Sequence, residues 1–274
     1  LTRSLVAARA EEASTRTVGT IFLQLIYTMI EPGNKNTDRV LNDPTNDAWL
    51  NPWIDYLREK GVNYYAGNIV KSIKMEDERN GAPIQEVAVE DEVGRSIYIK
   101  ADHFILATPV EVAATLINPS MLAADRALEN IIKLAPNVEW MNGIQFYLTE
   151  EFPMHEGHTI YANSNWALTS ISQIQFWGDY DLSQRYDGTV KGVLSVDISD
   201  WYSPGNINGK AARDCTIQEV KDEVWAQLKQ EINYEQEILT DDMLRFVYLD
   251  SDIHPTADQN AQLAKTLNQK KADE

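Results

Sequence analysis

The chain has 274 residues, enough for two domains or one large one with a real core. Hydrophobic residues make up 43% and charged residues 24%, the proportions of a soluble folded protein. Forty-two acidic against 24 basic residues give a formal net charge of −18, which argues against a nucleic-acid binder and, weakly, against electrostatic docking on anionic lipid.

In chain order, SLVAARAEEAS (residues 4–14) is rich in helix formers. TVGTIFLQLIYTMI (residues 17–30) is apolar on nearly every face, so a helix buried against protein is expected there. It is too short to span a bilayer, and no signal peptide is visible. A loop rich in Pro, Gly, Asn and Asp follows. NPWIDYLREKG (residues 51–61) reads as a compact helix, with Asn51 as cap, Pro52 in the first turn and Gly61 at the end. VNYYAGNIVKSIKM is strand-like after a break at Gly67. IQEVAVEDEVGRSIYIKA alternates on both sides of Asp91–Gly94, as a hairpin does. ADHFILATPVEVAATL (residues 101–116) reads as a strand over 101–107, central and buried, that turns into a helix. Thr108 and Glu111 form the expected capping box of that helix, with Pro109 at its first position.

After Ile117 the segments VEWMNGIQFYLT, HTIYANSNWALTSIS, KGVLSVDIS and LRFVYLD are rich in aromatic and β-branched residues and read as strands. One long helix interrupts them. Thr216 and Glu219 form its capping box, and Val220, Val224, Trp225, Leu228 and Ile232 its apolar stripe. A polar tail closes the sequence.

Motifs for several chemistries are incomplete. No G-x-G-x-x-G occurs. GNINGKA (residues 205–211) imitates a phosphate loop but is one residue short and lacks Ser or Thr after Lys210, so it reads as a surface turn. His155 and His158 sit in a loop without a third metal ligand nearby. Asp179, Asp181, Asp187 and Gly188 miss the spacing of a calcium loop. There is no G-x-S-x-G and no evident base beside Cys215. Cys215 is also the only cysteine, so no intrachain disulfide forms and a cytoplasmic setting fits.

LNDPTNDAWLNPWIDYLREKGVNYYAGNIVKSI, the hairpin and ADHFILATPVEVAATL resemble the flavin-dependent amine oxidase and phytoene desaturase superfamily. Within it the likeness is to bacterial phytoene-dehydrogenase-related oxidoreductases. EWMNGIQFYL, NSNWALTSISQIQFW, LSVDISDW and EVWAQLK extend the resemblance over most of the chain, about residues 1–252. It implies a mixed α+β protein with FAD as cofactor. Residues 1–40 would be a helical segment of the substrate domain and 41–117 a partial, Rossmann-like FAD-binding domain. Residues 118–252 would form a mixed-sheet substrate domain and 253–274 a polar tail.

In such a protein Val70 would meet the adenine side of FAD through its backbone, with Ala107, Thr108 and Pro109 near the cofactor. For Val70 the alternative is plain strand core. The activity implied is removal of hydride from a C–C or C–N bond of an apolar small molecule. Trp140, Tyr147, Trp166 and Trp177 are candidates for the substrate wall, although ordinary sheet packing is the favoured reading. No catalytic acid, base or nucleophile is assignable, and no metal site is expected. A non-catalytic lipid- or partner-binding protein of the same fold is the alternative. Peripheral membrane contact stays open, and the sequence does not encode the oligomeric state or the electron acceptor. The family's N-terminal glycine loop and C-terminal flavin segment have no counterpart here. With Leu1 in place of Met, that reads as the central part of a flavoenzyme.

Overall fold

The computed structural model describes residues 3–4, 8–11, 13–31, 39–138, 141–178, 180–185 and 187–249. Trp140 and the tail at 253–274 lie outside the described residues. The chain divides into two compact units, Leu1–Pro52 with Glu139–Glu274, and Trp53–Val138. Every strand pairing in both is antiparallel, and the class is α+β.

In the first unit, residues 8–11 and 13–14 are not helical, contrary to their composition. Side-chain anchors hold this stretch instead. The Arg9 guanidinium stacks 4.6 Å above the Tyr202 ring, while Arg3, which with Ser4 is helical, donates from Nε to Asp200 at 3.0 Å ahead of the stretch. A short helix is marginal without packing, so such contacts override propensity. Helix α1 (Thr15–Ile30) does form, with the Ser14 hydroxyl accepting from Thr17 N–H at 3.3 Å. None of its residues is buried, however, and the expectation of a buried helix fails. Helical propensity acts through the local backbone; cover must come from elsewhere in the molecule.

Asn51 does not cap helix α2 (Asn51–Glu59), because the helix enters it from a π-helical turn at Asn46–Leu50. The wider turn suits Pro52, which lacks an N–H and crowds the carbonyl four residues back in a regular helix. Gly61 ends the helix as expected, at φ +81°. Gly61 N–H donates to Arg58 at 2.9 Å and Val62 N–H to Leu57 at 3.0 Å.

The Trp53–Val138 unit carries a meander of β1 (Ile69–Met75), β2 (Ile84–Glu90) and β3 (Ser96–Ile99). The hairpin expectation holds. The Asp91 carboxylate takes the N–H groups of Val93 and Arg95 and closes the turn. Helices α3 (Val110–Leu116), α4 (Pro119–Ala124) and α5 (Glu129–Leu134) follow, and Ile73, Val87, Val89, Leu116 and Met121 form the core. Asn118 joins sheet to helix. Its carbonyl caps Met121 N–H, and its amide donates to Ile73 O at 2.7 Å.

Residues 101–107 are not a strand. Phe104 packs on the core, but Ile105 is 92% exposed and Leu106 39%. An apolar run becomes a buried strand only where a neighbour supplies both hydrogen bonds and cover. The expected capping box is also absent: α3 is preceded by Pro109 as N-cap, which has no side-chain acceptor, leaving Thr108 one residue too early.

The first unit holds β4 (Asn142–Leu148), β5 (Thr159–Ile160), β6 (Thr169–Ser172), β7 (Gly192–Ile198), helix α6 (Ile217–Ile232) and β8 (Leu244–Leu249). The sheet order is β5-β6-β7-β4-β8. Ile144, Phe146, Leu148, Leu194, Val196 and Ile198 bury one face with Val220, Val224 and Leu228 of α6. Both arms of the α6 capping box form: Glu219 N–H to Thr216 Oγ1 at 3.2 Å, and Thr216 N–H to Glu219 Oε2 at 2.8 Å. Trp166 is fully buried, with its Nε1 donating to Ser203 O, so it is core rather than cavity wall.

The false phosphate loop is a turn, and an anion does occupy its amides. That anion is internal. The buried Glu223 carboxylate accepts from Ile207 N–H at 2.9 Å, Asn208 N–H at 2.8 Å and Gln227 Nε2 at 2.7 Å. A Cβ on Gly205 would lie 2.7 Å from this carboxylate, which is why glycine stands there. Glu223→Ala leaves two backbone donors unpaired and should lower unfolding free energy by ~3 kcal/mol, read from urea denaturation.

Asp187 ties the turn before β7 to β8. It accepts from Thr189 Oγ1 at 2.6 Å and Arg245 Nε at 3.0 Å. The Thr189 hydroxyl first, then the Arg245 guanidinium, lowers its carboxyl to about 2. The folded value lies below the ordinary one, so this stabilisation is present above the usual carboxylate range and is lost as pH falls toward about 2. Thr189→Val should shift the Asp187 titration upward by NMR.

Candidate cofactor and substrate groove

A groove of about 750 Å³ lies within the Trp53–Val138 unit, between the meander and its helices. Val70, Ile73, Val87 and Val89 give the sheet side: Val87 and Val89 alternate on β2, and Val70 and Ile73 of β1 share their face through a bulge at Lys71. Ala113, Met121, Ala124, Leu128 and Ile131 give the helical side. Phe104, Ile105 and Leu106 line the groove from a segment that is neither helix nor strand.

Val70 sits on β1 opposite Val89 and is 37% exposed, while Val89 is 6% exposed. The strand register shifts between Val70 and Ser72, a bulge at Lys71 that keeps Val70 and Val89 in step. Of the four expected cofactor positions, Val70 and Thr108 line the groove. Ala107 and Pro109 are exposed on either side of Thr108 and are not part of its lining.

Among the described residues lining the groove, Asp125 alone carries an ionisable side chain. Its carboxylate is already engaged, accepting Ala127 N–H at 2.8 Å as a cap of the short turn before α5. The lining therefore suits a flat or aliphatic molecule held by packing, with Thr108 as polar handle. It offers no paired acid and base.

The helical wall escaped sequence reasoning, yet its signal was present. Met121, Ala124, Leu128 and Ile131 recur at spacings of three and four, the period of a helix face, although the structure breaks that run at Asp125 into separate short helices. Elsewhere, no group of three or more His, Cys, Asp or Glu able to hold a metal occurs among the described residues, and none of their helices is long and apolar enough to cross a membrane. Cys215 is buried, and burial raises its thiol pKa.

The chain matches no protein-family model, and no curated protein matches it.

Ile105→Asn distinguishes an exposed groove-edge residue from a buried strand. With Ile105 so exposed, the substitution should change unfolding free energy by no more than about 0.5 kcal/mol, read from the denaturation midpoint. A loss of several kcal/mol would mean that 101–107 is buried in solution.

Proposed function

We propose that this protein serves an FAD-dependent oxidoreduction of the amine oxidase and phytoene desaturase type, taking hydride from a C–C or C–N bond of an apolar small molecule. The observation that supports this reading is the meeting of Val70 and Thr108 in one apolar groove, since the sequence resemblance assigns both to the cofactor. The groove fits the adenine end of FAD. A flat ring needs apolar walls and a few main-chain or hydroxyl partners, and β1 and Thr108 offer them. The pyrophosphate is different. The sequence has no G-x-G-x-x-G, and the amides of the loop that imitates one are held by Glu223. This chain by itself is therefore expected not to retain FAD through purification.

FAD, when bound, supplies the hydride acceptor at its flavin N5. The protein's own part is to hold the adenine end against β1 and to keep water away with the apolar lining. The lone buried Cys215 fits a reducing, cytoplasmic setting.

A second reading is a non-catalytic lipid- or partner-binding protein. The exposed apolar residues of α1, including Phe22, Leu23, Ile26 and Met29, favour it, together with the groove itself. A fatty-acid probe that binds with low-micromolar affinity, with no flavin binding, would support it over the first.

FAD titration by flavin fluorescence on monodisperse protein tests the proposal. Saturable but weak binding is expected, too loose to survive purification. Val70→Ile should leave it nearly unchanged, because it adds a single methylene at a half-open site. Val70→Pro removes an N–H and fixes φ, and should weaken binding by roughly tenfold or more. Equal affinity in wild type and Val70→Pro would remove Val70 from the cofactor site.

A further inference from the structure

Helix α1 is covered along one stripe only. Val18, Ile21 and Thr28 are half-buried, and every other residue of the helix is exposed. On the opposite side Gly19, Leu23, Ile26 and Ile30 recur at spacings of four, three and four, with Phe22 and Tyr27 beside them. Leu23 is 54% exposed, Ile26 44% and Ile30 66%. Spacings of four, three and four are those of the seam between two paired helices.

The helix also needs what a partner would give. Eight of its sixteen residues are Thr, Val or Ile and a ninth is Gly19, all poorer helix formers than alanine. A helix of that length and composition is marginal without packing, yet none of its residues is buried. Its ends carry the wrong charges for its own dipole. Arg16 stands in the first turn, at the positive end, and Glu31 is the C-cap, at the negative end. The first turn holds no acid and the last turn no base. No ion pair or hydrogen bond engages the side chain of Arg16 or Glu31 among the described residues. Residues 17–30 between them carry no charge, so two chains of net charge −18 can touch here without like charges meeting.

We propose that α1 is a dimerisation helix, whose exposed seam pairs antiparallel with the α1 helix of a second copy of this chain. The antiparallel arrangement is self-complementary. Leu23 of each copy faces Ile26 of the other, and Ile30 faces Gly19, where nothing lies within 4 Å of the position a Cβ would take. The same alignment brings Arg16 of each copy within one turn of Glu31 of the other. Each charge then also sits at the end of the opposite helix whose dipole it suits. A parallel pair would set Arg16 against Arg16 and Glu31 against Glu31. Anionic lipid is repelled by the acidic chain, and neutral lipid would meet the seam but leave both end charges unmatched. This inference does not rest on the oxidoreductase reading.

Sedimentation equilibrium of the full chain over a rising concentration series tests it. The seam is short beside the ~800 Å² per partner of a standard interface, so a dimer with a micromolar dissociation constant is expected. Leu23→Glu combined with Ile26→Glu should abolish the dimer. Both side chains are exposed, so the monomer fold should persist, as checked by far-UV circular dichroism. At low salt Arg16→Glu alone and Glu31→Arg alone should each weaken the dimer by roughly tenfold, because each reversal acts at both ends of the pair. The two reversals in one chain should recover most of that loss. The proposal is overturned if the chain stays monomeric into the high micromolar range or if the dimer survives the double glutamate variant. It is equally overturned if neither single reversal weakens the dimer, or if the combined reversal is no tighter than the single ones. Phosphatidylcholine vesicles that bind the chain while it stays monomeric in solution would assign the seam to lipid and overturn it too. FAD titration reads the groove of the other unit, so either reading can fail without the other.

Discussion

The ladder between β4 and β7 is the constraint on which the larger unit depends. It runs without a register shift from Asn142↔Ile198 to Leu148↔Gly192. Because side chains alternate, that one register places Ile144, Phe146, Leu194 and Val196 in the core. The same register sends Gln145, Ser195 and Asp197 to the opposite face. A slip by one residue would bury a carboxylate in the core and expose Phe146. The packing of α6 and the polar second face are thus two consequences of a single pairing.

Loop and helix in this unit are joined by charge rather than by apolar packing alone. Glu223 projects from α6 and receives the amides of Ile207 and Asn208. Ser164 donates to Gln227, which in turn donates to Glu223, so the turn before β6 belongs to the same network. Main-chain amides gathered in a tight turn attract an anion regardless of its source. In a phosphate loop that anion arrives with a ligand. Here the fold supplies it, and a glycine at 205 gives it room.

The smaller unit shows the opposite balance. Asn118 fastens α4 to β1, and a modest core forms around Ile73 and Met121. Yet β3 is exposed along its length and Ile105 stands almost wholly in solvent. An apolar groove with exposed apolar margins suits the binding of an apolar or planar molecule, which is the role proposed for it.

Local chemistry was legible at several places, although the Asn51 cap and the Thr108–Glu111 capping box did not form. The Thr216–Glu219 capping box, the Asp91–Gly94 turn, the Gly61 helix stop and the strand character of β4, β7 and β8 all follow from the residues themselves. The α+β class followed from them too. Partnership between distant segments was not legible. The stretch at 101–107 has the composition of a buried strand but lacks a strand partner. Helix α1 has the composition of a buried helix, and none of its residues is buried. The amides of GNINGKA look ready for a phosphate until Glu223, from a helix further along the chain, reaches them. Val70 and Thr108 could be assigned to one site only through a resemblance, and the tertiary structure alone brought them to one groove. Propensity, capping and alternation act through covalent neighbours, so the sequence by itself determined most of the elements, though not the state of 8–11, 13–14 or 101–107. Cover, pairing and cavity depend on which distant surfaces meet, so only the tertiary structure decided what each element is for.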